Sequence, residues 1–551
     1  MKVESRHMRS TNKTTFIMCL VLCASSYLAL KNLDAASLWD DEAEVAIVGK
    51  NLAATGELTG WDGRNLLAYR DGTTLDSRLH SVQPPLMFIV AAASFRIFGV
   101  STWSARLPFV CLGLASLLLY WRILARELPD APRARVYAFA TLALSVAFLL
   151  FIRNCRYYSL LIFFALATYH TWRSCALRAG WRNIALLSLS AAGLFYSHFL
   201  VAAAFLSALA VRELIETRSR ILDKIWTTWL PFAASFLVLV APYAIAHRIW
   251  DRPDVGANVP IGLGDRLQLI AWFERDFGIV SALSLTMIAA IMICYYVLDR
   301  NDRLLRNSVR WCAFTVLILA LLGVLAVPAM VRPSGVETRY LTIAIPFGAG
   351  AVGMFLGYLE SFGWPLAAIG LASVLTTNVA SWGVDPVGLR WTLPAYLYEI
   401  HHPYPTAEQA ASEYLQAHAT QDDFVFVAPG YNNLPIEFYA GHKVKICCFL
   451  DHDSHLWDRG VSPLPPQVSA DHVFPEWIVS FGEPSPGMIE FFERQTTTAA
   501  GVTQSFAYRM TTHLLINERN SQRPELDLHA FGPSDHFSRD HGGVFFYRKV
   551  Q

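Results

Sequence analysis

The sequence predicts a polytopic α-helical membrane protein that ends in a soluble α/β domain, and three observations carry that prediction. Hydrophobic residues make up 54% of the 551-residue chain and charged residues only 16%, with a positive mean hydropathy, which is more apolar material than a soluble core buries. Apolar runs close to the roughly 20 residues that a spanning helix needs recur through 1–384, with arginine-rich loops between them. From 385 to 551 the composition turns mixed and polar, with no further run of this kind.

The run Thr14 to Ala29 sits behind a leader with Lys2, Arg6, Arg9 and Lys13, and reads as an uncleaved first span with its amino terminus in the cytoplasm. A cleavable signal peptide is the alternative. Pro84 to Phe98 is only about 15 residues long and contains Arg96, so it is expected to lie at the interface instead of crossing. That choice sets the parity of every later span. Leu107 to Leu124 then delivers Arg122, Arg126, Arg133 and Arg135 to the cytoplasm, as the positive-inside rule requires. Val136 to Ile152 returns outward and Tyr157 to Trp172 goes in, to a loop with Arg173, Arg178 and Arg182.

Asn183 to Val211 is about 29 residues with basic flanks at both ends, so it is expected to cross twice, broken near Tyr196-Ser197-His198 at the outer face. Pro231 to Ile245 goes outward and Ser281 to Leu298 inward. Phe314 to Met330, Leu341 to Leu359 and Pro365 to Ala380 complete about eleven spans and leave the carboxyl end outside. Between two of these, Asp265 to Phe277 is amphipathic, an interfacial connector or a shaper of a lipid entry path.

In the tail, Phe424 to Ala428, Lys443 to Phe449, Trp477 to Phe481, His513 to Ile516 and Val544 to Tyr547 read as short buried strands, with Ala407 to His418 as a helix. That alternation predicts a small α/β layer domain. The net charge of +1 offers no concentrated basic surface for nucleic acid, which excludes that class of partner. None of the nine cysteines has zinc spacing, and the vicinal Cys447-Cys448 pair is a poor disulfide. His401, His402, His452 and His455 lack fixed ligand spacing, so no metal site is expected.

The loop 33–102 after the first span carries the most chemistry, in Trp39-Asp40-Asp41-Glu42-Ala43-Glu44. Val45, Ala46, Val48, Leu52 and Ala53 suit an amphipathic helix from Asp41 to Ala54, stopped by Gly56. Two readings of Asp41 stand side by side. It is an N-cap whose box is closed by Glu44, or a general base that takes the proton of an acceptor hydroxyl. Arg106, Arg153, Arg156 and Arg339 lie at outer ends of spans, where a guanidinium either holds phosphate oxygens or snorkels and pairs, as Arg339 does with Glu337 in the second case. His198 is a donor to a sugar or phosphate, a ligand, or a satisfied buried histidine.

Asp41-Glu42-Ala43 with Leu52 and Gly56, then Gln83-Pro84-Pro85-Leu86, Phe98-Gly99-Val100-Ser101 and Ala105-Arg106-Leu107-Pro108, resemble the GT-C glycosyltransferases of the protein O-mannosyltransferase and lipid A aminoarabinose transferase type, in order over about the first 125 residues. Arg153-Asn154-Cys155-Arg156-Tyr157-Tyr158, Tyr196-Ser197-His198 and Thr338-Arg339-Tyr340-Leu341 are similar to landmarks of bacterial members. Gln83 stands where the family often has Lys or His, and Tyr158 where many members have an acid.

The resemblance implies a GT-C fold and an inverting sugar transfer from a polyprenyl-phosphate donor to a lipid, glycan or protein acceptor outside the cytoplasm. It implies catalysis by Asp41 with Glu42 beside it. The expected donor-site residues are Arg156, Arg339, Arg153, Arg106, Gln83, Tyr157, His198 and Tyr340. No cofactor is expected, since a monophosphate donor removes the main need for a divalent ion. The expected location is a bacterial inner membrane with the tail periplasmic. The rival classes are a flippase for a lipid-linked saccharide, against which the missing internal repeat counts, and an inactive scaffold of the same fold.

Overall fold

The computed structural model describes residues 2–67, 83–177, 180–216, 224–247, 249, 262–327, 330–332, 335–382, 388–403, 406–447, 474–484, 486–494, 497–499, 502–504, 506–514 and 543–550. It groups into two compact units: Met1–Lys31 with Phe109–His401, and Asn32–Pro108 with the described residues from His402 onward. This grouping differs from a simple division at residue 385, because the first loop's residues cluster with the carboxyl-terminal region.

The first unit is helical, and the protein is a multi-pass membrane protein. Its helices are α1 (Lys2–Leu30), the part of α4 (Thr102–Glu127) from Phe109 on, α5 (Pro132–Ala143), α6 (Val146–Ile152), α7 (Tyr158–Leu177), α8 (Trp181–Ser197), α9 (Phe199–Glu216), α10 (Leu230–Ala246), α11 (Leu263–Val280), α12 (Leu285–Ile293), α13 (Arg303–Leu325), α14 (Ile345–Leu359), α15 (Trp364–Thr376) and α16 (Leu393–His401). Among the described residues five helices are long and apolar enough to cross a bilayer, or seven if two bent pairs each count as one span. Helix length alone therefore does not give eleven crossings. The outward run at Val136 to Ile152 is α5 and α6, bent by 54° at Leu144 and Ser145, and the segment around Ser281 is bent by 90° between α11 and α12. Ser145 and Ser284 cap the second helix of each pair by accepting backbone N–H groups. The predicted break at His198 is present, in extended conformation between α8 and α9.

Packing in this unit relies on small residues where helices approach closely. A Cβ on Gly353 of α14 would lie 2.1 Å from Ala138 Cα of α5, and one on Gly357 would lie 2.5 Å from Ala134 Cβ. Each helix thus presents a pair of small residues four positions apart, which lets the backbones meet without the hydrophobic drive that water supplies. Near them Tyr169, Trp311, Phe314, Phe205 and Phe347 pack with ring centroids 5.0 to 6.0 Å apart.

The second unit contains α2 (Asp40–Thr55), α3 (Leu86–Phe98), the start of α4, α17 (Ala407–His418), α18 (Asn433–Ala440) and α19 (Pro486–Arg494). A five-stranded sheet runs in the order Lys445–Cys447, Phe424–Ala428, Trp477–Phe481, Val544–Val550, Ala507–Leu514, with the first three strands parallel and the last two antiparallel. Side-chain alternation builds two cores. Val425 and Val427 face α17 and α18 with Leu415 and Ile436, while Phe426 and Ile478 pack with Phe492 of α19 on the other side. The helix at Ala407 to His418 and the strands at 424 and 477 stand where the sequence pattern placed them. The strand predicted from His513 begins earlier, at Ala507, because its exposed residues hide the alternation. Cys448, His452 and His455 lie outside the described residues.

α2 is not amphipathic. From Asp41 to Asn51 it is buried on nearly every face, packed by α3 and α18. Gly49 permits this, since a Cβ there would come within 2.9 Å of Ala91 Cβ. α3 has 13 residues, too few to cross, and its Arg96 donates to the carbonyls of Leu52 and Ala53 at 3.2 Å, closing the end of α2. As predicted, Gly56 stops α2, with φ at 81°.

Candidate active site

In the second unit the acids of the first loop occupy the first turn of α2. The helix begins at Asp40 after Trp39, which makes no side-chain cap, so Asp41 is the second helical residue and not the N-cap. The expected box with Glu44 is therefore absent; the helix starts one residue earlier than the spacing implied. Asp41 is 2% exposed, Glu42 fully buried and Glu44 1% exposed.

Glu42 is engaged by Arg106. Nε and Nη2 donate to its two oxygens at 2.9 and 2.6 Å, and the remaining N–H groups reach the carbonyls of Leu33, Ala36 and Ser37 at 2.8 to 2.9 Å. The five donors of one guanidinium thus meet five acceptors. Gln83 donates through its amide to Glu44. The structure brings together Glu42 with Arg106 and Glu44 with Gln83, and both pairs hold the turn that carries Asp41.

Sequence reading missed the other wall of α2. Asn65 accepts from Ile446 N–H at 2.9 Å and donates to Gly441 O at 2.9 Å, and Arg64 reaches Lys443 O at 2.6 Å, so the loop after α2 is tied to the sheet region. On α18, Tyr439 OH accepts from Leu38 N–H at 2.9 Å and lies 2.7 Å from Thr102 Oγ1. Glu437 of the same helix is 1% exposed, and neither carboxyl oxygen has a hydrogen-bond partner among the described residues. Burial pushes its carboxyl up to about 8, Asp62 adds to the shift and Lys50 opposes it. A lone Glu in a short helical pattern carries no signal of this kind.

In the first unit a second cluster forms around the linker from α6 to α7, the break at His198 and the 3-10 turn Thr338–Ala344. The His198 ring lies between Tyr157 and Tyr340, with centroids 4.9 and 5.3 Å away. Arg156 stands 5.6 Å from the Tyr157 ring and Arg339 5.4 Å from the Tyr340 ring, a cation on each tyrosine. Arg339 Nε is 3.7 Å from Glu337 Oε2. His198 Nδ1 accepts from Val201 N–H at 3.4 Å, which puts the ring proton on Nε2. Arg153 differs from its neighbours. Its Nη1 donates to the carbonyls of Leu28, Ala29 and Lys31 at 2.9 to 3.1 Å and so caps the end of α1.

Among the described residues no group of three or more His, Cys, Asp or Glu is placed to hold a metal ion.

Residues 82–246 match the family model for dolichyl-phosphate-mannose-protein mannosyltransferases. Among solved structures the chain is similar to ArnT from Cupriavidus metallidurans bound to undecaprenyl phosphate, with a TM-score of 0.54 and 14% identity over 88% of this chain and 96% of that one. Apo ArnT gives a TM-score of 0.43 at 12% identity over 87% and 94% of the two chains. The arabinofuranosyltransferase AftD from Mycobacteria gives 0.38 at 15% identity, over 85% of this chain and 37% of its own. No curated protein matches in sequence. The first likeness shows that this chain has the fold of ArnT, and the match to the mannosyltransferase family model lies within residues 82–246.

Proposed function

We propose that the protein transfers a sugar from a polyprenyl-phosphate donor to a hydroxyl of an extracytoplasmic acceptor, with Asp41 as general base. In the step, the acceptor oxygen attacks the anomeric carbon as its proton passes to Asp41. The bond from that carbon to the phosphate oxygen breaks on the opposite face, which inverts the centre and releases the polyprenyl phosphate. The observation that carries this reading is the buried first turn of α2, where Arg106 and Gln83 occupy Glu42 and Glu44 and hold the carboxylate of Asp41 on a rigid element. The family match and the undecaprenyl phosphate bound to the similar ArnT support the donor class.

The departing phosphate gathers negative charge, and fixed cations stabilise it most there. We assign that role to Arg156 and Arg339, with His198 Nε2–H and the hydroxyls of Tyr157 and Tyr340 as further donors. Arg106 and Arg153 are positioning residues in this scheme, because their N–H groups are directed at Glu42 and at main-chain carbonyls. A monophosphate leaving group in such a cluster needs no divalent ion. The location we infer is a bacterial inner membrane with the second unit periplasmic.

The decisive experiment measures transfer from labelled polyprenyl-phosphate sugars into acceptors by reconstituted wild type and Asp41→Asn. Loss of a positioned base lowers turnover by about 10²- to 10⁴-fold. Equal transfer by the variant removes Asp41 from the chemistry, and lipid-saccharide transport without any transfer favours a flippase.

A further inference from the structure

The first unit contains an apolar cavity unrelated to either cluster of charged residues described above. It has a volume of about 360 Å³ and lies between the carboxyl-terminal part of α7, α8, α9 and the start of α10. Leu187, Leu206, Leu209, Trp172, Trp229 and Phe232 are among the residues that line it. The size falls in the range of about 300–1,000 Å³ typical of small-molecule sites. A dry space of this size forfeits van der Waals contact over its whole lining unless something apolar fills it.

The surroundings identify the filler. Only 6% of the apolar part of the helical stretch Ile225–Ala246 that forms one wall is buried, and Trp226, Leu237, Val238 and Ile245 are exposed by 56 to 73%. Such a surface in a multi-pass protein faces hydrocarbon, so the cavity adjoins acyl chains and not water. One end is charged. Glu213, in the lining, accepts from Trp172 Nε1 at 3.0 Å and from Lys224 Nζ at 2.7 Å. Beside it Arg173 binds Glu127 and Glu216 at 2.8 and 3.3 Å, Arg212 binds Glu216 at 2.8 Å, and Arg126 reaches Arg173 O at 2.5 Å. Among the described residues, Lys224 thus stands on Glu213 at the charged end of the apolar slot, and Arg173, Arg212 and Arg126 belong to the network of ion pairs and hydrogen bonds around Glu127 and Glu216.

We propose that the cavity holds one acyl chain of an anionic glycerophospholipid, its single phosphodiester charge beside Lys224 and Arg173. The chain slides in past α10 from the adjoining leaflet, its methylenes meet Trp229 and Phe232, and the headgroup stays at the charged rim. This is a structural lipid site, independent of the sugar-transfer reading and untouched by its failure.

Native mass spectrometry of the purified full-length protein in mild detergent tests it, beside the variants Ala233→Trp and Ala210→Trp that fill the slot. Wild type is expected to retain one phospholipid mass, and each filled variant at least tenfold less. A second measurement uses phosphatidylglycerol with brominated acyl chains. Tryptophan emission of delipidated wild type should be quenched, and a part of that quenching should vanish in Trp229→Phe, which preserves the wall. An adduct of polyprenyl mass in place of a phospholipid, equal retention by the filled variants, or identical quenching with and without Trp229 overturns the proposal. If the filled variants do not fold, the Trp229 comparison decides alone.

Discussion

The two charged regions of this protein hold their arginines in opposite ways. Arg106 in the second unit spends all five N–H donors on Glu42 and three carbonyls, in a buried and fully matched arrangement. Arg156 and Arg339 in the first unit instead stand over tyrosine rings, and Arg339 has an ion-pair contact as long as 3.7 Å. A matched buried pair makes a scaffold, because removing either partner strands the other. Cations on aromatic faces are attracted by the ring while their planar fork keeps the shape that suits a phosphate. The lesson is that an arginine near a membrane surface is assigned by its acceptors and not by its depth.

The largest effect that would sharpen this contrast is on the matched arginine. Arg106→Ala strands Glu42 and should destabilise the protein by about 3–5 kcal/mol, seen as a large drop in thermal midpoint and yield. A midpoint within a degree of wild type would mean that the pair contributes no net stability. Next come Arg156→Lys and Arg339→Lys, which keep charge but lose the planar fork. Each should leave the thermal midpoint almost unchanged while raising the KM for a polyprenyl-phosphate donor roughly tenfold, about 1.4 kcal/mol. Unfolding in place of weaker donor use would put these arginines in the same class as Arg106.

A smaller effect concerns Glu437, an acid of the second unit whose carboxyl oxygens have no hydrogen-bond partner among the described residues. Its folded form favours the neutral acid, with the carboxyl raised to about 8 from an ordinary value near about 4.3. Stability from this group is therefore fully present below about 4.3 and is lost as pH rises through about 8. Glu437→Gln should flatten the profile, with a gain over wild type of roughly 2–4 kcal/mol at the alkaline end. Parallel melting profiles for the two proteins from acid to alkali would rule this out. The smallest effect belongs to the rim of the second unit, where Lys50→Ala breaks a 3.5 Å contact with Asp62. A part-exposed pair of this kind should change stability by less than about 1 kcal/mol.

Much of the fold was readable from local pattern. The break at His198, the stop at Gly56 and the helix from Ala407 to His418 each rest on a few neighbouring residues. The burial of α2 was not, because its apolar residues look one-sided until α3 and α18 close over the acids. In the candidate site the acids of the first loop and the arginines of the linker and 3-10 turn were visible as residue types at helix ends. Their division into matched and aromatic-held groups was not. Arg96 shows why: a charge in an apolar run reads as a short interfacial helix, whereas its observed work is to close α2 through two carbonyls.

From its amino acids alone this chain is committed to a membrane, to helices with breaks at particular residues and to a polar tail with alternating strands. Those properties depend on hydropathy and on neighbours within a few positions. Only the folded chain decided that Glu42 meets Arg106 across 64 positions, that Asn65 reaches Ile446 across 381, and that His198 stands between two tyrosines. Such meetings are set by which elements pack together, and packing is a collective minimum over many contacts that no short stretch encodes.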